Sequence, residues 1–229
     1  FEMYGKDLIE SAILSTKIIK LLGKSNPSGF VYELFLDEKG EKISKSKGNG
    51  LSIEDWMTFG TKESLSIFMY QNPRRAKRLY FDCIPKSMDE YKKHFHNYNK
   101  QEDKIYDNPL WHIHEGNVPN NIYPIEFTNL LNLVTALNTS NKKTIIEFAK
   151  IYSRKILEKE EEEVLEKITV FAISYFEKFI LPNLSKIKPN DKEQKAIEKL
   201  IDAIEIYKGD LDAETCQSFI YKFGKEIYP

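Results

Sequence analysis

The chain has 229 residues, with 34 Lys+Arg against 35 Asp+Glu for a formal charge of -1, 41% hydrophobic residues and 13% aromatics. This balance excludes a disordered chain and a globally basic nucleic-acid binder, so any polyanion must be met by local patches. The length suits one large domain or two small ones. The longest apolar stretch, ITVFAISYF at Ile168–Phe176, is too short and too mixed for a membrane span. Cys83 and Cys216 fit neither a metal spacing nor a disulfide framework and read as inert thiols of a reducing, cytoplasmic compartment. No signal peptide is legible, and Phe1 reads as lying inside an element in progress, as in a piece of a longer chain.

The first predicted helix has Asp7 as N-cap and Glu10 at the capping-box position. Leu8, Ile9, Ala12, Ile13, Ile19 and Leu22 form its apolar stripe, and Gly23 is its stop. FVYELFLD (Phe30–Asp37) reads as one strand, followed by the turn DEKG and a short segment pairing back. A lysine-rich stretch, GEKISKSKGNG, fills Gly40–Gly50. Ser52 then caps a helix, with Leu51 and Trp56 as a hydrophobic staple. A second helix from Thr61 is expected to bury Leu65, Phe68 and Met69. Pro73 opens a third helical piece, on which Arg74, Lys77 and Arg78 share a side and Arg75 lies near Arg78.

From about residue 97 the chain is rich in Asn, Pro and Tyr and reads as an irregular connection. Beyond it all is helical. Leu130, Leu131, Val134 and Leu137 form one stripe; Ile145, Ile146, Phe148, Ala149 and Tyr152 form the next. A long helix runs from about Arg154, with the acidic start EKEEEE, to Leu181 before Pro182, and two more span roughly 191–207 and 212–226. The acidic run reads as a solvated helix start. His112 and His114 form a His-x-His in the irregular stretch; with no further partner they read as structural or surface residues, and no metal site is expected.

The chemistry concentrates in KISKS. Lys42 and Lys45 are flexible point charges suited to phosphate oxygens, and Ser44 and Ser46 add hydroxyl donors. Gly48 and Gly50 permit close backbone approach, and the helix after Ser52 offers free N–H groups. Read from the residues alone, the segment is either a polyphosphate-binding loop or a solvated basic turn. Walker-type spacing is absent.

KISKSKGN resembles the KMSKS signature loop of class I aminoacyl-tRNA synthetases, with Ile43 in the methionine position. Gly5-Lys6-Asp7, Tyr32-Glu33, TKESLSIFMYQNPRRAKRLYFD and Met88-Asp89-Glu90-Tyr91 extend the resemblance to class I lysyl-tRNA synthetases, clearest over residues 1–95. The resemblance implies a mainly α fold: a short α/β remnant of a Rossmann-type catalytic domain, then a helical-bundle or helix-cage anticodon-binding region. The implied segments are 1–50 (end of the nucleotide-binding fold), 51–96 (stem contact), 97–123 (connection) and 124–229 (anticodon binding).

The resemblance also implies roles. Lys45 would contact the ATP phosphates and the departing pyrophosphate, Lys42 would support it, and Ile43, Ser44 and Ser46 would shape the loop. Arg74, Arg75, Lys77 and Arg78 would meet tRNA phosphates. ATP, Mg²⁺, lysine and tRNA(Lys) are the implied cofactors and partners, with no membrane. The other class I signature, His-x-Gly-His, does not occur in the sequence. Both ends therefore read as trimmed, and the chain alone is not expected to aminoacylate. Leu8 stands where family members often have histidine, so no lysine-recognition residue is assigned. Two alternatives stay open: a non-catalytic helical RNA-binding module, and another class I synthetase such as the cysteinyl enzyme.

Overall fold

A computed structural model of the chain describes residues 1–43, 50–101, 104–153, 156–184, 188–209 and 212–227. These form two compact units, Phe1–Asn183 and Leu184–Pro229. The fold is mainly α with two small parallel sheets, as the sequence implied.

Strands β1 (Glu2–Gly5) and β2 (Gly29–Tyr32) pair in parallel, in register from Glu2↔Gly29 to Gly5↔Tyr32. Parallel pairing requires a crossover, and α1 (Ile9–Leu21) supplies it. Two expectations for α1 are corrected. Asp7 does not cap it: a 3₁₀ turn, Lys6–Leu8, intervenes, and the Asp7 carboxylate accepts from Lys42 instead. Its apolar stripe is not buried either. Ile9, Ile13 and Leu22 are exposed, because a two-stranded sheet has too little face to cover a helix of this length.

The single strand expected over Phe30–Asp37 breaks at Glu33. Its N–H leaves the β2 direction and donates to Pro73 O at 2.9 Å. Strand β3 (Phe35–Leu36) then pairs in parallel with β4 (Lys77–Arg78) in a second sheet. The Asp37–Gly40 turn forms as read, with Gly40 at φ +82° and Asp37 Oδ1 accepting from the N–H groups of Lys39 and Glu41. The return segment contributes one antiparallel bridge, Leu36↔Lys42.

Helices α2 (Ile53–Phe59) and α3 (Lys62–Tyr70) lie between β3 and β4, and α4 (Cys83–Tyr98) follows. Ser52 caps α2 through a reciprocal box with Asp55, and Thr61 Oγ1 caps α3 by accepting from Ser64 N–H. Trp56 Nε1 donates to Ser64 Oγ at 3.0 Å and so ties the two helices together. Trp56, Phe59, Phe68 and Ile84 form the local core, and Leu51 packs against it as the staple predicts. Thr61 as cap turns Ile67 and Phe68 inward and leaves Met69 exposed, contrary to expectation.

The third helical piece expected after Pro73 does not form. Asn72 adopts φ +46°, and the chain turns back into β4. Arg74, Arg75, Lys77 and Arg78 therefore share no helical face.

The stretch read as irregular carries a short helix, α5 (Pro109–Ile113), capped by Asn108 Oδ1 accepting from Leu110 N–H at 3.0 Å. Next come α6 (Phe127–Leu137), α7 (Lys142–Ser153) and α8 (Lys159–Tyr175), which pack together around Leu130, Val134, Ile145, Leu165 and Ile168. Phe148 and Tyr152 are exposed rather than core, because α7 lies at the edge and buries only Ile145 and Ala149 fully.

The long helix starts at Lys159, where Glu158 and Glu161 form a capping box. It ends in a π-helical turn, Phe176–Ile180, and a 3₁₀ turn, Leu181–Asn183. The π turn directs Phe179 onto Phe59 and Phe81, with ring centroids 5.0 and 4.4 Å away. The second unit contains α9 (Asp191–Ile206), boxed by Asn190 and Glu193, and α10 (Ala213–Ile227).

Candidate functional site

The C-terminal ends of two parallel strands carry the charged groups. Past β1, Lys6 Nζ lies 2.9 Å from Glu33 Oε1, beyond β2. That hydrogen bond raises the Lys6 pKa above its usual value and holds the Glu33 carboxyl below the ordinary carboxylate range. Lys42 Nζ donates to Asp7 Oδ2 at 2.6 Å. Both pairs are solvent-accessible and poised at the strand ends, where open parallel sheets bind ligands.

Lys42 and Ile43 form the outgoing base of the lysine loop. Ile43 N–H donates to Phe35 O at 3.2 Å, and the bridge to Leu36 fixes Lys42. The two ends of the loop converge: a Cβ on Gly50 would sit 3.0 Å from Ile43 Cγ2. Ser44, Lys45 and Ser46 lie outside the described residues. Immediately after the loop, Leu51 and Trp56 anchor α2 in the core.

The four cations of the Pro73 segment serve different ends. Arg74 and Arg75 are exposed, with the Arg74 guanidinium 5.2 Å from the Phe30 ring centroid. Arg78 pairs with Asp82. Lys77 turns inward: its Nζ donates to Phe68 O and to Gln71 O (2.6 Å), and lies 4.7 Å from the Phe68 ring centroid. It thereby satisfies carbonyls at the α3 C-terminus, and burial pushes its pKa down. An alternating basic run read from sequence could not reveal that inward orientation.

A cavity of about 550 Å³ opens between β1–β2 and α3–α5, lined by Met3, Tyr32, Phe35, Met69, Tyr70 and His112 among others. His112 and His114 do not converge on a common ligand. His112 Nε2 donates to Tyr106 O at 2.9 Å, and His114 Nε2 shares a hydrogen bond with Tyr91 Oη at 2.9 Å. Among the described residues no three His, Cys, Asp or Glu side chains cluster to hold a metal. Lys6–Glu33 and the Tyr70–His112 ring pair escaped sequence reading, since both join residues far apart in the chain. Only the strand-end positions of Lys6 and Glu33 hinted at the first.

The parallel βαβ unit and the capped helices after it lie within residues 1–117, which match the family model for tRNA synthetases class I (K), and the chain belongs to that family. It is 42% identical over 229 residues to the lysine–tRNA ligase of Roseobacter denitrificans, covering 100% of this chain and 43% of that protein. It is also 40% and 42% identical over 227 residues to the lysine–tRNA ligases of Rickettsia bellii and Rickettsia felis, covering 98% of this chain and 43% of each of those proteins. The chain thus spans less than half the length of the curated relatives it matches.

Proposed function

We propose that the chain is the part of a lysine–tRNA ligase that carries the ATP-phosphate loop and the tRNA-binding helices. The observation that carries the reading is the placement of Lys42. It sits at the base of KISKS, beside the C-terminal end of a parallel strand, within 2.6 Å of Asp7. In the reaction the lysine carboxylate attacks the α-phosphorus of ATP, and negative charge grows on the departing pyrophosphate. Lys45 stabilises that charge and Lys42 supports it, while Ile43, Ser44 and Ser46 shape the loop. A cation whose contacts strengthen only as the charge develops lowers the barrier by differential binding.

Mg²⁺ would accompany ATP and help neutralise the charge of its phosphates. Arg74 and Arg75 meet tRNA phosphates, with Arg78 beside them and Lys77 holding the turn that presents them. This contact is sequence-independent and salt-sensitive. Segments 1–50, 51–96, 97–123 and 124–229 take the nucleotide-binding, stem-contact, connecting and anticodon-binding roles, in the cytoplasm.

Lysine-dependent pyrophosphate exchange by the complete protein tests the reading. Lys45→Ala should lower the exchange rate about 10²–10³-fold and change tRNA affinity little; Lys42→Ala should lower it less. Exchange with another amino acid but not lysine, cysteine included, overturns the substrate. No exchange with any amino acid, alongside intact tRNA binding, favours a non-catalytic RNA-binding module.

A further inference from the structure

Helix α2 leads directly out of the lysine loop, and two side chains hold it. Only Trp56 and Phe59 of its seven residues are buried. Trp56 is tied to α3: its Nε1 donates to Ser64 Oγ at 3.0 Å, and its ring centroid lies 5.4 Å from that of Phe68. Phe59 is held by three rings from later in the chain. Phe179, Phe81 and Tyr175 meet it edge-on, with centroids 5.0, 5.7 and 6.1 Å away. Phe179 is the nearest of the three. It also meets the other two, Phe81 at 4.4 Å and Tyr175 at 4.9 Å, and so is the centre of the group.

The geometry of α2 makes this group a lever. Trp56 lies between Phe59 and Ser52, about 4.5 Å from one and about 6 Å from the other along the axis. With Trp56 pinned to Ser64, a displacement of Phe59 tilts the short helix and moves its Ser52 end by a similar distance. That end joins the loop. Ser52 and Asp55 close the reciprocal cap, and Leu51 packs on the same core as Phe59. Gly50 abuts the other end of the loop, where an added Cβ would lie 3.0 Å from Ile43 Cγ2. Phe179 itself sits in the π-helical turn Phe176–Ile180 that interrupts the end of α8. Such turns are rare, and those that occur are frequent at functional sites. Core filling alone does not account for Phe179: it is partly exposed, whereas its neighbour Phe176 is fully buried.

We propose that Phe179 is a positioning residue for the lysine loop. Through Phe59 it sets the tilt of α2, and α2 sets the place of the loop's outgoing end at Gly50 and Leu51. This rests on the ligase reading above, which gives the loop its part in adenylation.

The test is lysine-dependent pyrophosphate exchange by the complete protein, at saturating tRNA. A misplacement of about 1 Å far from the chemistry can cost about 10²-fold. Phe179→Ala should therefore lower kcat about 10- to 100-fold, with KM for ATP within about threefold of wild type, as for an interaction realised in the transition state. Phe179→Leu, which keeps an apolar side chain against Phe59, should lose less. In a Lys45→Ala background, Phe179→Ala should lower the rate further by less than about twofold, because residues that act as a unit are not additive. If Phe179→Ala does not fold, as read by circular dichroism, Phe179→Leu carries the same cycle. An unchanged kcat in the folded variant, or losses that multiply with that of Lys45→Ala, overturns the proposal and leaves the ligase reading standing. An unchanged exchange rate in Lys45→Ala alone overturns the loop's role and the proposal with it.

Discussion

Lys42 and Asp7, 35 positions apart in sequence, meet at 2.6 Å and join the base of the lysine loop to the end of β1. Their side chains are 56% and 48% exposed, so the link positions more than it stabilises. A double-mutant cycle with Asp7→Ala and Lys42→Ala, read by urea unfolding, should give a coupling below about 1 kcal/mol. The coupling should vanish in about 1 M salt. A larger, salt-insensitive coupling would mean that the pair is shielded from solvent.

Lys77 does the opposite: it is drawn in. Its ammonium satisfies carbonyls at the end of α3. Lys77→Met leaves those carbonyls without a donor and should cost about 1–3 kcal/mol. Burial lowers the folded-state pKa of Lys77 below 10.5, so the native chain releases this proton before the unfolded chain does. Between the folded value and 10.5 the unfolded state holds more protons, and stability from this group rises with pH. The advantage of wild type over Lys77→Met should therefore widen through that window. Urea titrations at several alkaline pH values measure it, and a narrowing difference contradicts the assignment.

Asp89 caps a helix to which it does not belong. From α4, its carboxylate accepts from Phe127 N–H at 2.6 Å and from Thr128 N–H and Oγ1, at the start of α6. Charged hydrogen bonds to helix N-terminal amides contribute about 1.5–3 kcal/mol. Asp89→Ala should lose that amount in urea unfolding, and Asp89→Asn, which keeps an acceptor, should lose less.

Cys83 lies against the aromatic core, and burial pushes its thiol up to about 11 from 9.0. Near neutral pH its thiolate fraction is then about 100-fold below that of an unperturbed thiol, from the two-unit difference. Alkylation by iodoacetamide, followed by mass spectrometry, should be correspondingly slow at Cys83 and rise about tenfold per pH unit. Because the folded value is raised, the stability from the neutral thiol is complete below 9.0 and is lost as pH rises through about 11. Rapid alkylation near neutral pH would show that the thiol is not desolvated.

Much of this fold was legible one segment at a time. Ser52 caps its helix as read, a helix begins after Thr61, the Asp37–Gly40 turn forms, and the stripe of Leu130, Leu131 and Val134 is buried. Caps, turns and helical periodicity depend on neighbours within about four residues, so a sequence contains them fully.

The misreadings share a different cause. The local context of Asp7 predicts an N-cap, but Lys42 offers it a partner from far along the chain. The basic run after Pro73 looked helical until β3 claimed Lys77 and Arg78 as a strand. Phe148 and Tyr152 have core chemistry yet face solvent, since α7 has neighbours on only one narrow side. Consecutive residues were enough to establish most helices, their caps and the turn chemistry. Long-range contacts settled which cations point outward, which carboxylate holds which lysine, and which aromatic rings meet. Those outcomes depend on what each side chain finds across space, and a one-dimensional pattern does not contain that.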